Sequence, residues 1–315
     1  MTEHDPRRTS LRRPPRLRPG DRVALLTPSS PANIERIDEG IDVLRFCGLE
    51  PVELASARAR GTSQPFLAGS DTDRAADLRA ALLDDSVAGV MTVGGGYGSQ
   101  RMLERVAWTG LDAVSPKVVV GYSDVTGLLE ALASRLGWSS VMGPMVAEGE
   151  FRESYSFSSL WACLSAPDRY GPLAFRGART LCGGAAEGLT AGGNLSLVAG
   201  SLGTDTTWSP PGAIVLLEDE NEDAARVDTM ITHLRRCGYF TDAAGVVTGK
   251  FTNAGDSSEA EIRAVLDDRL GDLGIPVVAD ANLGHGGHVQ TWPVGVRARL
   301  DADARTLTYL EPPLT

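Results

Sequence analysis

The chain has 315 residues, with 42% hydrophobic and 23% charged residues and a formal net charge of −11. These values are typical of a globular protein large enough for two domains, and the negative charge argues against a nucleic-acid partner. The sequence has no apolar run near the ~20 residues of a membrane span. Four scattered cysteines without a C-x-x-C pair predict a cytoplasmic protein with reduced thiols.

Residues 1–18 are rich in arginine and proline. The segment has no apolar stretch and no alanine-type cleavage site, so it does not resemble a secretory signal. A nucleic-acid arm and a targeting segment are alternatives. We predict a disordered tail, as is common at chain termini.

Strand and helix patterns alternate through residues 19–165. Strands joined by helices imply right-handed crossovers and a parallel sheet, whose binding sites form at the carboxyl ends of the strands. A glycine run and Ser123 follow two of these strands. The predicted strands are residues 22–27, 87–93 and 118–121, and the predicted helices are residues 33–47 and 73–83 and the segments beginning near residues 99 and 123.

Residues 166–188 are rich in Pro, Gly and small residues, which predicts a linker. Shorter strand patterns and more glycine follow, so we predict a β-rich domain of mixed topology over residues 189–315. Its expected strands are residues 213–217, 246–248, 276–278 and 294–301, and its expected helix is residues 224–236.

Ser123 stands where a β-branched strand pattern gives way to a helical one. A serine on such a turn presents its hydroxyl beside the unpaired N–H groups of a helix N-terminus, which favour developing negative charge. Serine is also a favoured helix N-cap, and residue 125 is valine, so the turn does not match Gly-x-Ser-x-Gly. Local sequence alone favours the cap over a nucleophile.

The run Gly94-Gly-Gly-Tyr-Gly-Ser99 follows a strand but matches neither G-x-G-x-x-G nor a P-loop. We therefore expect no nucleotide cofactor. The glycines either form a tight turn or present backbone N–H groups to a substrate oxygen.

Glu218 directly follows an apolar strand pattern, where a buried carboxylate needs a partner. An imidazole N–H would serve, and His285 and His288 stand in a glycine-rich loop. The His-x-x-His spacing lacks a third metal ligand, so we expect no metal. A loop histidine suits a general base instead, and the order Ser, Glu, His is one of several that build a triad.

Taken together, these motifs resemble the LD-carboxypeptidase family (peptidase family S66), which includes muramoyl-tetrapeptide carboxypeptidases and microcin C immunity peptidases. The resemblance covers residues 17–310. It rests on Pro19-Gly-Asp-Arg-Val-Ala24, Gly95-Gly-Tyr-Gly-Ser99, Gly121-Tyr-Ser-Asp124, Gly143-Pro-Met145, Gly192-Gly-Asn-Leu195, Leu217-Glu-Asp219, Gly284-His285 and Pro293-x-Gly295.

The resemblance implies an α/β protein, with a Rossmann-like N-terminal domain built on a parallel sheet, a smaller β-rich C-terminal domain, and the site between them. It also implies a homodimer, and a serine carboxypeptidase without cofactor or metal that acts on a small peptide. The implied catalytic residues are Ser123, Glu218 and His285, and the implied oxyanion hole is the backbone of Asp124 and of Gly95 or Gly96.

Two departures leave the substrate open. Gly94 stands where muramoyl-tetrapeptide carboxypeptidases often carry arginine, and the residues after Asp219 differ from the common pattern. The leading hypothesis is cleavage of the L,D-bond before the terminal D-alanine of a murein tetrapeptide. The alternatives are hydrolysis of a peptidyl-nucleotide amide, with Trp208 or Trp161 stacking on the base, and a silent paralogue that only binds. The candidate substrate contacts are Tyr97, Tyr122, Trp208 and His288.

Overall fold

The computed structural model describes residues 4–61 and 63–315, and within them the chain forms eight α-helices and fourteen strands. The helices are α1 (Ile34–Phe46), α2 (Asp71–Leu83), α3 (Ser99–Leu103), α4 (Thr126–Ala131), α5 (Ser154–Ser165), α6 (Leu195–Ser201), α7 (Ala224–Arg236) and α8 (Glu259–Leu270). The strands are β1 (Arg22–Leu26), β2 (Glu50–Glu53), β3 (Val87–Thr92), β4 (Val118–Gly121), β5 (Ser140–Met142), β6 (Leu173–Ala174), β7 (Arg179–Cys182), β8 (Ala185–Asn194), β9 (Ile214–Glu220), β10 (Gly245–Thr252), β11 (Val277–Ala279), β12 (Trp292–Val294), β13 (Arg297–Asp301) and β14 (Thr306–Tyr309).

The first sheet has the strand order β12-β5-β4-β3-β1-β2. The strands β1 to β5 run parallel, and β12 joins the edge antiparallel to β5. Strands β1, β3 and β4 are apolar on both faces because helices cover the sheet on both sides. The predicted α/β class with a parallel sheet is confirmed, with one addition: the edge strand β12 comes from the C-terminal part of the chain.

The second sheet has the order β6-β14-β13-β8-β9-β10-β11-β7. Its centre, β8 to β11, is parallel, and the outer strands are antiparallel. This is the mixed topology expected for the β-rich part. The segment 166–188 differs from the predicted linker because it contributes β6 and β7, whose backbone groups pair with β14 and β11.

The N-terminal segment is packed from residue 4 onward, which corrects the predicted disordered tail; residues 1–3 lie outside the described residues. Leu17 is 1% exposed, and Arg12 forms a β-bridge with Trp138. Chain termini often fray, but here the rest of the chain is acidic and attracts the arginines of this segment. Three of these arginines pair with carboxylates of the body: Arg7 with Asp242, Arg13 with Glu311 and Arg16 with Asp168.

One continuous apolar cluster joins the two sheets, so the molecule is held together across their junction. Helix α4 of the first half packs on α6 of the second, with Leu129 and Val198 both fully buried. In the described part of the chain, helices are too short or too polar to span a bilayer.

Candidate active site

A cleft of about 930 Å³ opens between the two sheets. It lies at the carboxyl ends of β3, β4, β8 and β9, the edge where parallel sheets place their binding sites. The first sheet contributes the glycine loop and the Ser123 turn, and the second contributes Asn194 and residues 219–222. His285 closes the cleft from the loop before β12.

Ser123 begins a short 3₁₀ turn directly after β4, with a left-handed φ of 58°. A residue other than glycine costs about 1 kcal/mol or more in that region, and such strain is characteristic of nucleophile turns. No side-chain cap hydrogen bond forms at the start of this turn or of α4. The capping role that local sequence favoured is therefore absent, and the hydroxyl lines the cleft.

The glycine loop lies in contact with Ser123. A Cβ on Gly95 would stand 3.2 Å from Ser123 Cβ and 3.4 Å from its Oγ. Gly96 has a φ of +102°, and Ser30 supports the loop from behind, because its N–H donates to Gly95 O (3.1 Å) and its Oγ accepts from the N–H of Tyr97 (3.1 Å). The absence of side chains lets this backbone approach any group bound at Ser123.

Asp124 ties the glycine loop to the serine turn. Its buried carboxylate accepts hydrogen bonds from Ser29 Oγ (2.5 Å) and from the backbone N–H of Ser99 (2.7 Å). Its own backbone N–H belongs to the first turn of a helical segment and has no intrahelical acceptor. That N–H is thus suited to donate to an oxyanion beside Ser123.

Glu218 and His285 form a buried pair. The Glu218 side chain is 0% exposed, and its Oε2 accepts from His285 Nδ1 (2.6 Å) and from the His285 backbone N–H (3.1 Å). Only glycine fits next to them, because a Cβ on Gly284 would lie 2.5 Å from Glu218 Cδ. The carboxylate therefore fixes both the ring and the backbone of His285.

The electrostatic surroundings of His285 stabilise its charged form. Burial alone lowers the pKa of the imidazole, but the attraction of Glu218, its hydrogen bond and the attraction of Glu220 outweigh burial and raise the pKa to about 9. The ring also rests against Tyr122, with the two centroids 5.0 Å apart. Its Nε2 lies 3.6 Å from Glu220 Oε2.

Two of the predicted substrate contacts line the cleft and two do not. Tyr97 is 53% exposed at the rim, and Tyr122 is buried beneath it. Trp208 is fully buried, with its indole N–H donating to Arg8 O (3.0 Å), so the structure contradicts its predicted contact with substrate.

His288 and Trp161 also lie outside the cleft lining. The His288 side chain is largely exposed, with Nδ1 3.1 Å from Glu153 Oε1. Trp161 stacks on Phe157 in the apolar layer of the first half. Aromatic and imidazole side chains were chosen from the sequence by type alone, and type does not reveal the direction in which a side chain points.

The fold gathers acidic side chains around the cleft that are scattered along the sequence. Arg101 is the only lysine or arginine among the described residues that line it, and Asp71 holds that guanidinium at 2.8 Å. Several carboxylates also line the cleft: Glu104, Glu148, Asp205, Glu220 and Glu222. Burial raises the pKa of Glu148. Strand alternation on β9 could have identified Glu220, two positions after Glu218.

Potential metal ligands are dispersed. Across residues 4–61 and 63–315, His, Cys, Asp and Glu side chains form no group of three or more placed to hold an ion.

Comparisons with known proteins agree with this architecture. The model of the LD-carboxypeptidase N-terminal domain matches residues 23–143, and that of the C-terminal domain matches residues 187–300. A putative carboxypeptidase of Streptomyces coelicolor is 42% identical, over 96% of this chain and 98% of its own. A probable murein peptide carboxypeptidase of Bacillus subtilis is 29% identical, over 93% of both chains.

Among solved structures, MccF in complex with glutamyl sulfamoyl guanosine shares the fold, with a TM-score of 0.85 and 21% identity over 96% of this chain and 99% of that one. The family models together cover most of the sequence, and the Streptomyces relative matches nearly its whole length. The chain therefore belongs to the LD-carboxypeptidase family of peptidases.

Proposed function

We propose that the protein is a serine carboxypeptidase that cleaves the L,D-peptide bond before the terminal D-amino acid of murein tetrapeptides. Ser123 is the nucleophile, His285 the general base and acid, and Glu218 the group that orients His285. One observation carries the proposal. His285, bonded to buried Glu218, lines the same cleft as Ser123, which stands on a left-handed turn against Gly95.

The proposed reaction has two steps. Ser123 Oγ attacks the carbonyl carbon while His285 Nε2 takes its proton, and His285 then gives that proton to the leaving amine. A water molecule releases the acyl group with the same base. Glu218 keeps the Nδ1 proton in place, so that Nε2 is the nitrogen that accepts.

The oxyanion of each tetrahedral intermediate would be held by backbone donors. The N–H of Asp124 and an N–H of Gly95 or Gly96 are the candidates, since all three residues line the cleft beside Ser123. One such donor is worth ~3 kcal/mol in other hydrolases. Arg101 is the candidate partner for the terminal carboxylate of the substrate because it carries the one guanidinium in the described lining.

The charge of the cleft favours a substrate with an ammonium group, which a peptide that contains a diamino acid would present. The carboxylates of Glu148 and Glu222 would attract that group.

The second candidate, a peptidyl-nucleotide amide, draws on a different observation. The Tyr97 ring is exposed at the rim, 6.0 Å from the exposed ring of Phe66, and offers a surface on which a base could stack. The acidic lining opposes this candidate, because a nucleotide phosphate would be repelled.

A side-by-side assay tests the choice. The purified enzyme is given a murein tetrapeptide ending in D-alanine, the same peptide ending in L-alanine, and glutamyl sulfamoyl guanosine. We expect the enzyme to hydrolyse the first substrate, with release of D-alanine, and to leave the other two intact. Hydrolysis of the nucleoside amide alone would reverse the assignment, and hydrolysis of both alanyl peptides at equal rates would refute the stereochemical part. The cytoplasmic location and the homodimer stay predictions.

A further inference from the structure

Glu220 lies on the same face of β9 as Glu218. Side chains alternate along a strand, so residues 218 and 220 point to one side and Asp219 points to the other. Asp219 faces away from His285 and accepts hydrogen bonds from Asn194 Nδ2 and the Ser196 N–H, both at 2.9 Å. The strand thus presents two carboxylates to the imidazole.

Glu220 is held in place by a residue of the neighbouring strand end. Asn253, just after β10, donates from Nδ2 to Glu220 Oε1 (2.8 Å) and has a left-handed φ of 51°. The backbone bond from Asn221 N to Thr252 O (2.9 Å) joins the two strand ends. With Oε1 occupied by Asn253, the other oxygen, Oε2, lies 3.6 Å from His285 Nε2.

His285 is therefore flanked by carboxylates at both ring nitrogens, Glu218 at Nδ1 and Glu220 at Nε2. Two flanking carboxylates stabilise imidazolium, which carries a proton on each ring nitrogen and cannot accept another. Yet Nε2 is the nitrogen that must take the proton of Ser123. In the described residues, Ser123 Oγ and His285 share no hydrogen bond, whereas Nε2 has Glu220 beside it.

We propose that Glu220 is a positioning residue that favours the imidazolium form of His285 and so sets the pH range in which His285 serves as a base. Within that range Nε2 loses its proton to solvent and becomes free to receive the proton of Ser123. The kinetic part of this inference rests on the proposed function, but the titration of His285 does not.

Other charged groups face His285 as well. Glu218 and Asp219 belong to β9, Glu148 approaches from the loop after β5, and the Tyr122 phenol packs against the ring. Lys250 on β10 directs its ammonium to Asp280 O (3.1 Å). Among the carboxylates of the described residues, Glu220 alone lies within 4 Å of Nε2. Its removal should therefore lower the His285 titration midpoint more than the loss of any other carboxylate that lines the cleft.

The direct test is an NMR titration of the imidazole groups in the full chain. There are only four histidines, and the His285→Gln variant identifies the signal. We expect the His285 midpoint of Glu220→Gln to lie about one pH unit below that of the wild type, since an opposite charge within ~4–6 Å raises such a value. The matched control, Glu222→Gln, removes the same charge from the same cleft and should leave the midpoint in place.

An unchanged His285 midpoint in Glu220→Gln would overturn the inference, as would an equal shift in Glu222→Gln. Asn253→Gly provides a second variant. Glycine accepts the left-handed backbone but lacks the amide that holds Glu220, so a smaller shift in the same direction is expected. Thermal melts of each variant show whether it is folded during the titration.

The kinetic arm separates this inference from the proposed function. In Glu220→Gln, we expect the acidic limb of the kcat/KM profile for D-alanine release to shift to lower pH together with the His285 midpoint. At pH values well below the limb, kcat/KM should then be about tenfold higher than in the wild type. A limb that stays in place while the His285 midpoint moves would mean that Glu220 does not control the base. If the wild type releases no D-alanine at any pH, the proposed function fails, and the NMR titration still decides the role of Glu220.

Discussion

Gly284 occupies a position in this site where the surrounding contacts leave no room for a side chain. Gly284 adopts a φ of +82°, directly before His285, and its Cα faces the carboxyl group of Glu218. The hydrogen bond between Glu218 Oε2 and His285 Nδ1 is 2.6 Å long, so a displacement of either group by ~1 Å would take it out of hydrogen-bonding range. Gly284 is thus part of the support for the proposed base.

Replacing Gly284 with alanine should inactivate the enzyme. The new Cβ would lie 2.5 Å from Glu218 Cδ and force the carboxylate away from His285. We expect kcat/KM to fall by about 100-fold or more, as misplacement of a catalytic group by ~1 Å does in other enzymes. Gly287→Ala is the matched control, since nothing lies within 4 Å of its Cβ. Similar activity in the two variants would refute this role.

At the residue scale, the sequence reveals the chemistry of a side chain but not the direction in which it points. Ser123, Glu218 and His285 were identifiable because each stands in a recognisable pattern: a strand end, an apolar strand and a glycine loop. Ser123 and His285 line one cleft, and the buried Glu218 holds His285. Trp208 was chosen because it is aromatic, and its burial depends on Arg8, 200 residues away in sequence. A long-range contact of that kind leaves no local signal.

Among the elements, α4 links the serine turn to the second half of the molecule. It follows the turn directly, packs on α6, and carries Glu130, which is 2% exposed. Among the described residues, neither carboxyl oxygen of Glu130 has a hydrogen-bond partner, and the nearby Ser201 hydroxyl donates to Val198 O instead. Burial raises the pKa of Glu130 to about 8.

Glu130 should make stability fall with rising pH. The folded pKa is about 8 and the ordinary value is 4.5, so the unfolded chain releases this proton first and stability is lost as pH rises from 4.5 through 8. Each pH unit corresponds to about 1.4 kcal/mol, an upper bound for a group that can relax on ionisation. We expect Glu130→Gln to melt several degrees higher than the wild type at pH 9 and within error of it at pH 5.

The control for this comparison is Glu35→Gln, at an exposed position of α1. Its melting temperature should equal that of the wild type at both pH values. Parallel melting curves for Glu130→Gln and the wild type between pH 5 and 9 would show that Glu130 does not ionise in this range.

Elements were predicted best where periodicity and caps coincide. The predicted helix 224–236 is the observed α7, because Asp223 caps it and its apolar positions recur at helical spacing. Helix α8 went unpredicted although Ser258 and Glu261 form a capping box, since its apolar positions are few. The three-residue strand β5 is too short to show alternation and is defined only by its partners β4 and β12.

For the whole molecule, the N-terminal segment acts as a strap across both halves. Asp5 N donates to Ser134 O in the first half (3.1 Å), and His4 Nε2 lies 3.0 Å from Thr207 O in the second. Arg8 O accepts the indole N–H of Trp208. The segment therefore covers the junction on which the cleft depends.

Deleting residues 1–15 should lower stability. The deletion leaves the buried Trp208 N–H without its acceptor, which costs ~1–3 kcal/mol, and uncovers Trp138 beside the Arg12 bridge. We expect Tm to fall by several degrees, with a red shift of tryptophan fluorescence. Arg7→Ala breaks only an exposed ion pair, worth ~0–1 kcal/mol, and should change Tm little. A truncated chain as stable as the full one would contradict the strap.

The proposed role of Ser123 as the nucleophile can be tested by measuring D-alanine release from a murein tetrapeptide. The wild type is compared with Ser123→Ala and Ser123→Gly. Glycine suits the left-handed backbone, so that variant stays folded without the hydroxyl. We expect turnover by the wild type and loss of activity by at least about 1,000-fold in both variants. Equal release of D-alanine by all three proteins would contradict this role.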